Sequence, residues 1–414
     1  MVEKTVIRIE KIVQGGEGLG RLPDGKTVFV PYVLPGELVE INVTETRGSY
    51  IHASLARVLG PSPQRIIPPC PYFGICGGCH FQHMMQPVQA EMKLKILRDQ
   101  LQRIGKINQP PILGLITGEK AWNYRNQLQF HPTKTGKLGF MDRSGRQPIE
   151  ISTCLLAMQG IADTWPMVDL APEPGLRRVV FREDSDGEVM LVLEGEDEDP
   201  PEMEIQLPIS AAYLDGGGRS VNLAGEDQLR YTVAGRELWV SPESFFQVNL
   251  EIAERMVQEL SARLELTPNT EVLELYSGVG LFSQILAERA GNLVAIETSP
   301  SACFDFAENL DSFENVSLYE GAVEDVLPAL VGSLPRPELV LLDPPRAGLH
   351  PRARQALLAL KPVRIAYISC DPSTLARDLK EFIAAGYELD SVQAFDMFPQ
   401  TYHVETISIL KKAN

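Results

Sequence analysis

The chain has 414 residues, of which 44% are apolar and 7% aromatic, enough to bury the cores of two or three domains. It has no basic and apolar leader at its amino terminus and no apolar run near twenty residues, so the sequence predicts a cytoplasmic protein without a membrane partner. The formal charge of -17 argues against a nucleic-acid partner, but residues 183 to 204 alone hold eleven acids and no Lys or Arg. Such a run is typical of a solvated loop and hairpin.

Residues 1 to 60 are predicted to form a small β domain. Short alternating segments, Val6 to Ile12, Thr27 to Val30 and Leu38 to Val43, are separated by turns that contain glycine or proline. Five short strands in about sixty residues indicate an OB-like barrel, which often binds RNA but can equally be structural. The segments GGEGLGR (15–21), VFVP (28–31) and LPGE (34–37) resemble the TRAM domain of RNA-modifying enzymes. That resemblance favours RNA binding.

A central domain is predicted over residues 61 to 238, and it begins with a cysteine-rich loop. Cys70, Cys76 and Cys79 lie in a glycine-rich segment, and Cys154 is the best candidate for a fourth soft ligand. Six cysteines are too few for a disulfide scaffold, so this grouping indicates metal binding in a reducing compartment. Thiolates favour zinc or iron-sulfur clusters. The spacing leaves open both a 4Fe-4S cluster and zinc, with His80 or His83 as substitute ligands for zinc.

The remainder of the central domain is predicted to be mostly antiparallel β structure. Before it, Pro87 opens an amphipathic helix over residues 87 to 104, which we expect to pack on the carboxyl-terminal domain. The strand-and-turn pattern then starts near Trp122. Tyr124 and Arg125 offer base stacking and phosphate contact to RNA, with packing inside a strand as the alternative.

Residues 239 to 414 have the alternating strand and helix pattern of a doubly wound, Rossmann-like sheet. The predicted strands are Glu271 to Leu275, Leu293 to Glu297, Val316 to Tyr319, Leu339 to Leu342 and Arg364 to Ile368. The last strand is followed at once by Cys370 and Pro372, so the thiol is presented just past the strand's carboxyl end. Ligands of open α/β sheets bind at that edge.

The first and second strands of this domain carry a nucleoside-binding pattern. Gly278 and Gly280 permit close backbone approach at a helix amino terminus, while Ser283 stands where a dinucleotide fingerprint has its third glycine. Glu297 ends the second strand and can accept hydrogen bonds from ribose hydroxyls, and Asp343 closes the fourth strand beside it. The pattern suits S-adenosylmethionine, which has a ribose and an amino-acid tail but no phosphates.

Four motifs together resemble the RNA 5-methyluridine (uracil-C5) methyltransferase family over essentially the whole chain. They are YSGVG (276–280), DPPRAG (343–348), ISCDP (368–372) and HVET (403–406). The TRAM-like barrel and the cysteine loop make the chain similar to the 23S ribosomal RNA branch, which implies methylation at the uracil-1939-type site. Another ribosomal uridine or a transfer RNA uridine is the alternative. We expect a monomer that acts on a single-stranded or flipped-out uridine.

The resemblance also implies site residues. It implies a class I methyltransferase domain, and a 4Fe-4S cluster bound by Cys70, Cys76, Cys79 and Cys154. The cofactor and target site that it implies contains Gln247, Tyr276, Glu297 and Asp343. Leu281 follows the glycines where relatives often have Asn, and Gln127 stands where many have a basic residue.

The chemistry of such a reaction accounts for the reactive side chains. Carbon 5 of uracil is a poor nucleophile, but thiolate addition at carbon 6 gives an enolate whose carbon 5 can attack the sulfonium methyl group. Cys370 is predicted to be that thiolate. Glu405 is predicted to be the base that removes the carbon 5 proton before elimination. Phe245 and Pro344 are candidates to hold the flipped base.

Two other functions remain open from the sequence. A cytosine-5 methyltransferase uses the same covalent chemistry, but similarity to those enzymes would imply a cysteine where Arg346 stands. A non-catalytic iron-sulfur protein that binds RNA or senses redox state would explain residues 1 to 160. It would leave Glu297, Asp343, Cys370 and Glu405 unexplained.

Overall fold

The computed structural model describes residues 4–168, 175–200 and 207–413. Within these ranges the strands form a closed barrel, a seven-stranded sheet, a two-stranded hairpin and an eight-stranded sheet. Of the helices in the same ranges, none is both long enough and apolar enough to cross a membrane.

The amino-terminal segment forms the predicted OB-like barrel. Its strands are β1 (Lys4–Ile12), β2 (Gly18–Arg21), β3 (Thr27–Val30), β4 (Leu38–Arg47) and β5 (Tyr50–Gly60). They close in the order β1-β2-β3-β5-β4. Alternate residues such as Val28, Val30, Val39 and Ile41 point into the barrel and are buried, because successive side chains of a strand face opposite sides.

The segment after the cysteine loop joins the carboxyl-terminal part of the fold. Helix α1 (Gln86–Arg103) has proline in its first turn and contacts helix α8 (Pro372–Ala384). Strand β6 (Ile112–Ile116) then pairs in parallel with β21 (Tyr387–Phe395) at the edge of the large sheet. Residues 86 to 116 therefore pack with elements that lie nearly three hundred residues later.

The seven-stranded sheet makes up most of the central region. Its strands are β7 (Gln127–Pro132), β8 (Leu138–Met141), β9 (Pro148–Glu150), β10 (Leu176–Glu183), β11 (Val189–Gly195), β12 (Ser210–Leu214) and β13 (Ser220–Ala224). Their order is β13-β12-β11-β10-β7-β8-β9, and only β11 and β12 pair in parallel among the described strands. Helix α2 (Gln159–Thr164) and a 3₁₀ turn (Trp165–Met167) precede β10. Strands β14 (Leu229–Val233) and β15 (Arg236–Val240) form a separate hairpin.

The acidic run is only partly a solvated hairpin. Its first two acids, Glu183 and Asp184, are buried. The Glu183 carboxylate accepts the N–H of Ile161 at 2.9 Å, and Asp184 accepts two N–H groups of the β10–β11 turn, each at 2.9 Å. The expectation of full solvation is therefore wrong for this pair, because both carboxylates satisfy backbone donors. The end of the run, which includes Glu202 and Glu204, lies outside the described residues.

The eight-stranded sheet confirms the predicted doubly wound pattern. Its remaining strands are β16 (Glu271–Leu275), β17 (Asn292–Glu297), β18 (Val316–Glu320), β19 (Leu339–Leu342), β20 (Arg364–Ser369) and β22 (Glu405–Lys412). The helices are α3 (Leu250–Arg263), α4 (Ser283–Ala287), α5 (Pro300–Asn309), α6 (Val323–Leu330) and α7 (Pro351–Leu360), followed by α8. The order is β18-β17-β16-β19-β20-β22-β21-β6, and only β22 runs against its described neighbours.

Strand β20 lies in the middle of this sheet and is covered on both faces. Ile365 and Tyr367 pack into one apolar cluster, and Ala366 and Ile368 pack into the other. This burial explains the continuously apolar sequence of the strand. It also means that the polar residues following β20 emerge at the carboxyl edge of a rigid core.

Candidate active site

The glycine turn after β16 is held by Glu297 at the end of β17. One oxygen of the Glu297 carboxylate accepts the N–H of Gly278 at 2.9 Å, and the other accepts the N–H groups of Thr298 and Ser299 at 2.7 and 2.8 Å. Gly280 has a φ of 93°, and an added Cβ would lie 2.5 Å from the Leu310 side chain. The turn therefore needs glycine at this position, and its backbone is positioned by the carboxylate predicted to bind ribose.

A buried carboxyl that the sequence reasoning missed lies beneath this turn. Glu274, in β16, is only 2% exposed, and the Ser283 hydroxyl donates to it at 2.6 Å. Burial, with smaller effects of the negative charges of Asp343 and Glu297, raises the pKa of Glu274 to about 8 against the lowering effect of the Ser283 hydrogen bond. An acid inside an otherwise apolar strand was the available sequence signal, since buried carboxyls need a specific partner.

The other predicted cofactor residues are Tyr276, Gln247 and Leu281. Tyr276 has a φ of 62° and leads into the glycines. The Gln247 carbonyl accepts the side-chain N–H of Asn126 at 3.0 Å, which ties this segment to the central region. Leu281 is buried in an apolar cluster, so its side chain offers no polar contact to a cofactor. Leu281 as a cofactor-binding residue stays a prediction.

Asp343 and Pro344 follow β19 at the neighbouring strand end. The N–H of Asp343 donates to the Leu275 carbonyl at 3.3 Å, and burial raises the pKa of the Asp343 carboxyl to about 7. Pro344 is buried beside it. Phe245, in contrast, is 71% exposed, so its ring is free to meet a ligand.

Cys370 lies between the end of β20 and the start of α8. The Asp371 side chain caps that helix, accepting the N–H groups of Ser373 and Thr374 at 2.8 and 3.0 Å. Burial, together with the charges of Glu405 and Asp343 and against the opposing effect of the Arg346 guanidinium, raises the pKa of the Cys370 thiol to about 12. The thiol therefore lies next to a helix amino terminus, which favours its ionisation to a thiolate. The neighbouring carboxyl groups disfavour that ionisation.

Strand pairing brings Glu405 to this thiol. In the antiparallel pair β20–β22, Ser369 lies opposite Thr406, so the next position, Cys370, lies opposite Glu405. Burial and, to a smaller extent, the charge of Asp343 raise the pKa of Glu405 to about 8 against the lowering effect of Arg346. A carboxyl in this range can take up and release a proton near neutral pH. Burial lowers the pKa of the nearby His403 to about 3, so its ring is neutral.

The first turn of the barrel also reaches this edge of the sheet. The Gln14 side chain donates to the Asp371 carboxylate at 3.1 Å. An added Cβ on Gly16 would lie 3.0 Å from the Tyr402 ring, so the turn packs closely against the segment before Glu405. The barrel therefore contributes to the surroundings of the thiol, which no local sequence pattern indicated.

The four predicted ligand cysteines line one cavity of about 470 Å³. The segment before Cys154 is held to the loop by Tyr72, whose hydroxyl contacts the Ser152 hydroxyl at 2.9 Å and accepts the Ser152 N–H at 3.0 Å. Burial, with a smaller effect of neighbouring cysteines, raises the pKa of Cys76, of Cys79 (to about 12) and of Cys154. A cationic group placed among them would reverse this penalty.

The two histidines considered as substitute ligands for zinc lie away from the thiols. His83 contacts the Val33 carbonyl at 3.2 Å and His80 packs on Tyr402, and neither lines the cavity. Within the described ranges, no group of three or more His, Cys, Asp or Glu side chains is arranged to hold one metal ion. The 4Fe-4S cluster and zinc therefore both stay predictions for this site.

The two residues predicted to contact RNA after Trp122 have other surroundings. Tyr124 is 5% exposed and its hydroxyl donates to the Pro399 carbonyl at 3.0 Å, so its ring cannot stack on a base. Arg125 and Gln127 line the cysteine cavity. The Arg125 guanidinium lowers the pKa of Cys76 and Cys154, which makes it a counter-charge for thiolates. Tyr124 therefore packs inside the protein, which was the alternative to RNA contact.

Comparisons with known proteins agree with this geometry. The family model described as tRNA (Uracil-5-)-methyltransferase matches residues 226–413, and the TRAM domain model matches residues 3–56. An uncharacterized RNA methyltransferase of Aquifex aeolicus is 34% identical, over 98% of this chain and 98% of its own. Another, of Nostoc, is 32% identical over 99% and 96%. The crystal structure of Pyrococcus abyssi tRNA (uracil-54, C5)-methyltransferase with S-adenosyl-L-homocysteine is similar with a TM-score of 0.73, at 26% identity, over 99% of this chain and 100% of that one.

Proposed function

Because this chain belongs to the RNA uracil-5-methyltransferase family, we propose that it transfers a methyl group from S-adenosylmethionine to carbon 5 of a uridine in 23S ribosomal RNA, at the uracil-1939-type site. One observation carries the proposed mechanism. The last pair of the β20–β22 register is Ser369 and Thr406, so its continuation brings Cys370 level with Glu405, and the charge of Asp343 acts on both groups. A nucleophile and a proton acceptor on adjacent strands of a rigid sheet can act one after the other on the same uracil.

The proposed reaction uses the two side chains in order. The Cys370 thiolate adds to carbon 6 of the uracil, and the electron pair of the carbon 5–carbon 6 double bond moves into an enolate. Carbon 5 then attacks the methyl group of S-adenosylmethionine. The bond between that methyl group and the sulfonium sulfur breaks, and S-adenosylhomocysteine is released. Glu405 removes the proton from carbon 5, the double bond re-forms, and the thiolate leaves carbon 6.

The cofactor is proposed to lie over the glycine turn. Glu297 would accept hydrogen bonds from the ribose hydroxyls, since its carboxylate lies at the end of β17 and already orients Gly278. Tyr276, Gly280, Gln247 and Asp343 complete the proposed site. The half-buried Asp343 carboxyl can serve both the cofactor and the target base, because it follows β19 between the glycine turn and Cys370.

Cys70, Cys76, Cys79 and Cys154 are proposed to hold a 4Fe-4S cluster. The donor set fits, since four thiols and the Arg125 guanidinium line one cavity. When bound, the cluster supplies cationic iron that neutralises four thiolates and joins the loop to the segment that carries Cys154. No step of the methylation passes through it.

The RNA is proposed to present an unpaired or flipped-out uridine to a cytoplasmic monomer. The exposed Phe245 ring and Pro344, which lies just past the end of β19, are proposed to hold the target uracil. The barrel supports this arrangement, because its first turn reaches Asp371 next to the thiol. A transfer RNA uridine is the second candidate substrate, since the similar Pyrococcus abyssi enzyme is a tRNA methyltransferase.

Mapping 5-methyluridine in ribosomal and transfer RNA from cells that lack the protein tests the proposal. One 23S position should lose its methyl group and regain it with the wild-type chain, but not with Cys370→Ala. Loss at a transfer RNA position instead would select the second candidate. Unchanged 5-methyluridine in both RNAs would contradict the proposed function.

A further inference from the structure

The segment between β21 and β22, residues 396 to 404, leads directly to Glu405. Hydrogen bonds to its backbone fix its position. Four consecutive carbonyls in it accept hydrogen bonds from four distant parts of the chain. Asn249 donates to Met397 at 3.2 Å, Lys93 to Phe398 at 2.9 Å, and Tyr124 to Pro399 at 3.0 Å. The N–H groups of His80 and Phe81 both donate to Gln400, at 2.8 and 2.9 Å.

The double contact at Gln400 comes from the cysteine loop itself. His80 and Phe81 follow Cys79 directly, so the path of the loop at that ligand sets where these two N–H groups point. Gln400 is 3% exposed and has a left-handed backbone, with a φ of 70°. Its conformation is held by Gln89, which donates to its side-chain oxygen at 2.9 Å and accepts its N–H at 3.0 Å.

The rest of the segment is fixed by contacts that are costly to form. Lys93 and Asp396 are both buried and pair at 2.5 Å. Such a pair is weak evidence of stability, since desolvation opposes it, but it defines one geometry. The rings of Tyr402 and His80 pack with centroids 4.8 Å apart, which adds a second contact between the segment and the cysteine loop. Glu405 begins its strand three residues after Tyr402.

We propose that the cysteine loop positions the catalytic base, Glu405. The N–H groups of His80 and Phe81 hold Gln400, and Gln400 fixes the segment that places Glu405 opposite Cys370. Gln400 is thus a positioning residue and touches no reacting atom. The inference rests on the proposed function, in which Glu405 removes the carbon 5 proton. It assigns the cysteine loop a role in one step of the reaction, proton removal, and none in cofactor binding.

Substitutions at Gln400 test the backbone contact. Valine resists a left-handed backbone, whereas asparagine and glycine tolerate it. Gln400→Val should slow elimination by about tenfold to a hundredfold, the cost of misplacing a catalytic group by about 1 Å, and leave methyl transfer within about twofold. A covalent RNA adduct that requires S-adenosylmethionine should then accumulate in a single turnover. Gln400→Asn should restore the wild-type elimination rate.

A matched control separates positioning from general loss of stability. Lys361 also has a left-handed backbone, with a φ of 52°, but lies at the end of α7 far from the cysteine loop in the chain. Lys361→Val should lower the melting temperature without accumulating the adduct. If Gln400→Val eliminates as fast as Lys361→Val, the inference is overturned.

Hydrogen exchange supplies a readout that does not depend on activity. Removal of iron by an oxidant and chelator should raise amide exchange in residues 76 to 81 and 396 to 404 together, and leave β16 and β17 protected. Faster exchange in the cysteine loop alone would overturn the coupling. The two proposals fail separately: a Glu405→Gln variant that forms no adduct contradicts the base assignment, whereas an adduct with Glu405→Gln but not with Gln400→Val contradicts only this inference.

Discussion

Replacement of Glu405 by glutamine should stall the reaction after methyl transfer. Glutamine keeps the shape of the side chain but cannot accept the carbon 5 proton. The change also removes a negative charge that raises the pKa of the Cys370 thiol, so thiolate addition should not be slowed. The expected product is RNA linked to Cys370 and already methylated at carbon 5.

The size of the effect follows from the burial of the carboxyl. With a pKa of about 8, Glu405 is ionised in roughly one molecule in a hundred at pH 6, one in ten at pH 7 and one in two at pH 8. Only the ionised form is a base, so elimination by the wild type should rise about fiftyfold from pH 6 to pH 8 and level off above that. Glu405→Gln should lose this rise and eliminate about 10² to 10⁴ times more slowly.

Single-turnover reactions with radiolabelled S-adenosylmethionine measure both quantities. Label that remains with the protein on denaturing electrophoresis reports the adduct, and label in free RNA reports elimination. The double variant with Cys370→Ala is the control and should form no adduct. If Glu405→Gln eliminates at the wild-type rate with an unchanged pH dependence, the base is another group, such as the neutral His403 ring or a positioned water.

Four further outcomes are expected. Glu297→Ala should weaken S-adenosylmethionine binding by roughly 1.5 to 3 kcal/mol in calorimetry, and an unchanged dissociation constant would mean that the ribose lies elsewhere. Protein prepared without oxygen should carry about four iron atoms per chain. Cys154→Ser should lose both the iron and the solubility of the protein, and stoichiometric zinc in the wild type would contradict the cluster. Lys93→Met should cost about 3 to 5 kcal/mol by leaving Asp396 buried and unpaired, and a second change, Asp396→Leu, should recover most of it in urea unfolding. Because burial raises the pKa of Glu274 from 4.5 to about 8, its protonation stabilises the fold fully below pH 4.5 and this contribution is lost as the pH rises through 8. Glu274→Gln should therefore unfold with a flatter pH dependence between about pH 4.5 and pH 8, and an unchanged slope would place this carboxyl in contact with water.

Strand positions and the cofactor turn could be predicted from the sequence because their causes are local. The strand from Glu271 to Leu275 has the predicted bounds, and the strand before Cys370 differs by one residue. Short apolar runs bounded by turn residues indicate strands that are buried on both faces of a sheet. Glycine indicates a left-handed backbone conformation that other residues rarely adopt, as at Gly280. The end of β17 likewise put Glu297 beside the glycine turn without any knowledge of packing.

The roles of single polar side chains were less predictable. Tyr124 and Arg125 have the residue types of an RNA contact, yet one ring is buried and the guanidinium faces the cysteine cavity. Glu274 was passed over as part of a strand, although it is buried there. A residue type states which contacts are possible, but the direction of a side chain depends on the segments that pack around it.

The sequence by itself determined where the reactive residues lie along the chain: a thiol past a strand end, an acid opening the last strand, and a loop with three of the six cysteines. Only the tertiary structure decided that β22 pairs with β20, that Gln400 lies under the N–H groups of the cysteine loop, and that Gln14 reaches Asp371. These contacts join segments that are up to 357 positions apart. Their geometry is set by strand order, register and close packing, which depend on the whole core and leave no local pattern in the sequence.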